Sequence, residues 1–114
     1  MKLLAQLGFV TLILLIFIGG GQPGAGQLFI PPWDKVAHLI TYAIILILAR
    51  IGFPKVKLFY LFMIVILIGA LDEAHQIYLP GRVAAFDDLL ADIIGALIAF
   101  YAIKLFNAKL AKHH

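Results

Sequence analysis

The chain has 114 residues, of which 64% are hydrophobic and only 13% charged, and its mean hydropathy is +1.07. A soluble domain of this size needs a far more charged surface, so the composition points to a single-domain integral membrane protein. The formal net charge is +3, but the basic residues stand singly at helix ends rather than in a stripe, which argues against nucleic-acid binding; with no cysteine, a disulfide framework, a thiolate nucleophile and a Cys-type zinc site are excluded.

At roughly 20 residues per span there is room for about four membrane helices with short connections. Residues 3–18 are an almost unbroken apolar run after Lys2, ending in Gly19-Gly20-Gly21. A secretory leader also has a basic start and an apolar core, but this run is long for such a core, so we read it as a retained first helix over about 3–19. Residues 19–33 form an uncharged Gly/Pro-rich loop closed by Pro31-Pro32-Trp33, where proline cannot continue a helix and tryptophan favours the membrane boundary. Asp34 stands where an N-cap belongs, and a second helix is expected over about 34–50. Gly52 and Pro54 break it, and Arg50, Lys55 and Lys57 make a basic turn. A third helix follows over about 58–79, ended by Pro80-Gly81, and a fourth over about 87–106, with a basic tail beyond it. The terminal His113-His114 pair is assigned no role.

Charge sets the expected orientation. Lys2, Arg50, Lys55, Lys57, Lys104, Lys109 and Lys112 fall on one side of such a bundle, and Lys35 and Arg82 on the other. Positive residues mark the cytoplasmic face, so both termini are expected to be cytoplasmic. All 6 acids (Asp34, Asp72, Glu73, Asp87, Asp88 and Asp92) then lie toward the outer side. Helical rise puts Asp72 about 12 Å below Pro80, with His38 about 6 Å below Asp34 and Asp92 about 6 Å below Asp88. Three helices thus bring polar groups to one layer under the outer surface.

Residues four apart share a helix face, giving the stripes Asp34/His38/Tyr42, Asp72/Gln76 and Asp88/Asp92. Ionisable groups within a membrane helix cost roughly 2.5–3.5 kcal/mol each on insertion scales, so the three stripes are expected to turn toward a common centre. His38, Asp72, Glu73 and Asp92 are the candidate acid/base or ligand groups. Asp34, Gln76, Arg82 and Asp88 are the candidate binding groups. Simpler roles compete with these: Asp34, Asp87 and Asp88 suit helix N-termini as caps, and Arg82 suits a bridge from the acids to the interface. Tyr78 and Trp33 suit interfacial anchors. His75 is one position out of phase with Asp72 and Gln76, which fits a supporting position behind the site or the lipid interface better than catalysis. Asp92 is the hardest to dismiss, lying a full turn inside an apolar helix. The first helix offers only Gln6 and Thr11, so it supports the site without supplying its chemistry.

Against these acids stand two permanent cations in the same layer, so some carboxylates must hold protons or a cation must neutralise them. An Asp/Glu/His set is able to bind a divalent metal that acts on a phosphate or ester near the headgroups. Arg82 is equally able to hold a phosphate or carboxylate beside a protonated acid or His38. The spacing selects neither chemistry.

These residues resemble the VanZ-like family of small bacterial membrane proteins. The resemblance rests on Asp34-Lys35-x-x-His38, then Asp72-Glu73-x-x-Gln76, Pro80-Gly81-Arg82, Asp88, Asp92 and Gly95, and covers roughly residues 33–100. One departure is Val83-Ala84-Ala85, where the family often carries small polar residues. The resemblance implies a multi-pass protein of the bacterial cytoplasmic membrane with an envelope-facing role, since the family's namesake is associated with teicoplanin resistance. The expectation is therefore an all-α four-helix membrane bundle whose outward pocket takes a lipid headgroup or a glycopeptide-related ligand. The alternatives are a metal- or acid/base-dependent enzyme on a lipid-linked envelope substrate, and a small proton- or cation-coupled transport component. Membrane lipids are the expected partners; oligomeric state is left open.

Overall fold

A computed structural model describes residues 1–19, 33–77 and 86–112, and their regular structure is entirely helical. Helix α1 spans Lys2–Leu14 and widens into a π-helical turn at Leu15–Gly19. Helix α2 spans Trp33–Gly52, α3 Leu58–Ile77 and α4 Phe86–Lys112. Three of them hold stretches long and apolar enough to cross a membrane, Lys35–Gly52, Leu58–His75 and Asp88–Leu110, and Lys2–Ile18 is a shorter apolar helix. The outward faces agree with a bilayer environment: Leu7, Ile44, Leu67 and Ile98, one from each helix, are all exposed. So many large apolar side chains facing out would be an aggregation liability in water and are ordinary in lipid.

Side-chain contacts fix the helix directions. Gln6 Nε2 in the first turns of α1 donates to the Gly52 carbonyl at the end of α2 (2.7 Å), and the Phe9 ring meets Phe53 edge-on with centroids 5.8 Å apart. On the other side, the rings of Phe62 in α3 and Phe100 in α4 lie 5.1 Å apart. At the opposite end, Phe17 reaches His75 at the end of α3 (5.7 Å). Helices α1 and α3 therefore run one way and α2 and α4 the other. The basic turn Arg50, Lys55 and Lys57 lies at the end where α1 begins, away from Asp72, Asp88 and Asp92.

The core follows the 3.6-residue period. Tyr42, Ile45, Leu46 and Ala49 line one face of α2, and they meet Leu61 and Val65 of α3 and Ala96 and Ala99 of α4. The inner stripe of α4 is small (Ala91, Gly95, Ala96, Ala99), so α2 and α4 pack backbone to backbone, as membrane helices do where small residues line the seam. Gly95 is the tightest point: a Cβ there would overlap the Leu39 carbonyl oxygen and lie 2.8 Å from its carbon. Helix α4 also continues past Phe106, its expected end. Residues 107–112 contain no glycine or proline and are rich in Ala, Lys and Leu, which are strong helix formers.

Candidate functional site

Because α2 and α4 run parallel, polar residues one turn apart on each meet in matching register. Lys35 Nζ donates to Asp88 Oδ1 (2.6 Å), and one turn further in, His38 Nδ1 and Asp92 Oδ1 are 2.7 Å apart. The outer pair is the wetter one, with 35% and 15% of its side chains exposed, whereas Asp92 is 1% exposed. An ionised Asp92 accepts the hydrogen carried by Nδ1, which leaves Nε2 as the ring's reactive nitrogen. The Tyr42 ring lies nearly parallel to His38, one turn deeper (6.5 Å, 6°).

Helix α3 completes the layer. Its inward stripe runs Leu61, Val65, Gly69 and Asp72, and Glu73 is buried beside it; Asp72 and Glu73 are 2% and 7% exposed. Both carboxylates lie within electrostatic reach of Asp92 and Tyr42, and Asp72 also reaches His38. Gly69 makes room for this: a Cβ on it would stand 3.1 Å from Asp92 Oδ2 and 3.5 Å from Tyr42 Cε1. Asp92 Oδ2 is buried and has no hydrogen-bond partner among the described residues. Four buried ionisable or hydroxyl groups (Tyr42, Asp72, Glu73 and Asp92) thus share one layer with the partly buried His38, with Lys35 and Asp88 at its outer edge.

The remaining sequence candidates are placed only in part. Asp34 lies in the first turn of α2 and Gln76 in the last turn of α3, but their side chains, like that of Asp87, are outside the described residues. Arg82, Tyr78 and the Pro80-Gly81 turn lie wholly outside them. His75 is exposed and rests beside Phe17, away from the buried layer. Among the described residues no group of three His, Asp or Glu is arranged to hold a metal ion.

A family model described as VanZ/LLP1 matches residues 3–107 of this 114-residue chain. The chain belongs to the VanZ/LLP1 family. Comparisons with curated proteins and with solved structures give no match. The VanZ/LLP1 match takes in α1 as well as the motif-bearing helices, and it supports the resemblance read from the Asp34 to Gly95 spacings.

Two members of the layer in this VanZ-like protein are not among the site residues expected from the sequence. Lys35 entered there as a compensating cation and as part of the Asp34-Lys35-x-x-His38 motif, although Lys35/His38 on one helix and Asp88/Asp92 on another is the pattern of two facing pairs. Tyr42 sat on the right stripe by spacing, but a tyrosine in an apolar helix is equally consistent with plain packing.

Proposed function

We propose that this VanZ/LLP1 protein is a four-span protein of the bacterial cytoplasmic membrane, with both termini cytoplasmic, whose outward polar layer receives the headgroup of an envelope lipid or a glycopeptide-related ligand. The observation that carries this reading is the burial of Asp72, Glu73 and Asp92 within electrostatic reach of one another in an otherwise apolar core, with the partly buried His38 bonded to Asp92. Carboxylates buried in lipid are expensive, and a bundle of this size has no structural need for three of them together. Asp34, Gln76, Arg82 and Asp88 belong to the same proposal as groups that would hold the headgroup. Its placement in the envelope rests on the basic residues at one end of the bundle and on the family's association with glycopeptide resistance.

A second reading, acid–base catalysis on a lipid-linked substrate, is favoured by the His38–Asp92 pair. Asp92 orients the ring and stabilises its protonated form, and Nε2 exchanges the proton. The transport reading has less support. Ile45, Leu46 and Val65, fully buried directly below Tyr42, fill the middle of the bundle with hydrocarbon.

Glu73→Gln keeps the volume and removes the charge. Cells carrying it are expected to differ from wild type in their lipids and cell-wall precursors, with one lipid-linked species accumulating or vanishing under the catalytic reading. Under the binding reading the profile stays constant and glycopeptide susceptibility changes. If neither changes while the variant is produced at the wild-type level, the proposal is wrong.

A further inference from the structure

We propose that the lipid-facing flank of the α2/α4 pair holds one acyl chain of a zwitterionic phospholipid, with Lys35 meeting its phosphate and Asp88 its ammonium. The flank carries a groove lined by Lys35, Val36, Leu39, Leu90, Ala91 and Ile94. Apart from Lys35 these walls are apolar. Ala91 contributes a small side chain between the larger Leu90 and Ile94, and the helices touch at Leu39 and Gly95 beside the groove's inner end. From Lys35 to Leu39 the groove descends about 6 Å, the depth at which a phospholipid changes from headgroup to chain.

The charges at the mouth decide which headgroup fits. A cation standing alone would favour an anionic lipid. Here Lys35 Nζ lies 2.6 Å from Asp88 Oδ1, and both side chains are partly exposed. An anion without a compensating positive charge would meet the Asp88 carboxylate as well as the lysine. A headgroup carrying phosphate and primary ammonium satisfies both partners by exchanging one ion pair for two. This site shares Lys35 and Asp88 with the outer edge of the layer formed with α3 but uses none of its buried groups, and it rests on the membrane-embedded, outward orientation proposed above.

The test is native mass spectrometry of the full chain released from nanodiscs of phosphatidylethanolamine and phosphatidylglycerol in equal parts. The wild type is expected to retain the ethanolamine lipid about threefold over the glycerol lipid, a preference typical of one partly exposed ion pair. Asp88→Asn, which removes the carboxylate that disfavours an anion beside Lys35, is expected to turn the preference toward phosphatidylglycerol. Ile94→Trp fills the groove from its exposed rim and is expected to remove the selective retention, with helicity unchanged by circular dichroism. Equal retention in the wild type, a wild-type preference for phosphatidylglycerol, or a ratio that survives both substitutions would overturn the inference. An unaltered Glu73→Gln phenotype alongside selective retention would instead sink the proposed function and leave this site standing.

Discussion

Replacing His38 with leucine is expected to destabilise the bundle by about 1–3 kcal/mol or more, since a carboxylate keeps its burial and loses its hydrogen-bond donor. The carboxylate is Asp92, 1% exposed, with Oδ1 held by His38 and Oδ2 already lacking a hydrogen bond among the described residues. Asp72 and Glu73 lie within electrostatic reach and add repulsion that the ring no longer offsets. Adding Asp92→Leu to the same chain is expected to restore most of the loss, because a buried ion pair replaced by apolar side chains of similar volume is often neutral or stabilising. Both chains are expected to be inactive. Denaturant unfolding of the full chain in detergent reads the stability, and cell-based assays read the activity. Recovered stability without recovered function is the signature of a pair kept for its chemistry. A single His38→Leu loss below about 1 kcal/mol would place the pair with ordinary surface ion pairs and contradict this account.

Gly95→Leu is also expected to be damaging, separating α2 from α4 and costing about 1–3 kcal/mol or more. The obstacle is backbone: even a Cβ would overlap the Leu39 carbonyl oxygen and come within 2.9 Å of its Cα, and no rotamer change relieves that. The position also lies one turn below Asp92, so parting the helices would break the His38–Asp92 bond that aligns the ring. Gly8→Ala is the control. Its Cβ would meet only the end of the Leu48 side chain at 3.4 Å, and alanine gains about 1 kcal/mol of helix propensity over glycine. That variant is expected to be neutral or slightly more stable in the same unfolding measurement, whereas equal effects at both glycines would contradict the close α2/α4 contact.

The helices themselves are legible because hydrocarbon length and punctuation agree. Gly52 and Pro54 end α2, and the apolar run from Leu58 starts α3, close to where the structure has them. The burial of Asp72, Glu73 and Asp92 is legible too, since lipid allows such groups few other places. Which groups touch is much less so. Periodicity within a helix says that Asp88 and Asp92 share a face, but not that α2, two elements earlier, lies against that face in parallel. The clue is the small-residue seam Ala91, Gly95, Ala96 and Ala99, which calls for a partner backbone without naming it. The Lys35–Asp88 contact is the clearest example, since it depends on that pairing. The far end of α4 was obscured for a different reason. Charged residues in a helix leaving the membrane look like a tail, while their propensity carries the helix on to Lys112.

The proposed function requires the polar layer to open outward. The natural chain has no cysteine, so single thiols can be introduced at Trp33, exposed at the polar end, and Lys57, exposed at the basic turn. Labelling of intact cells with a membrane-impermeant maleimide is expected to modify Trp33→Cys and to reach Lys57→Cys only after permeabilisation. The reverse pattern would put the His38–Asp92 layer on the cytoplasmic side and contradict the proposed envelope-facing site.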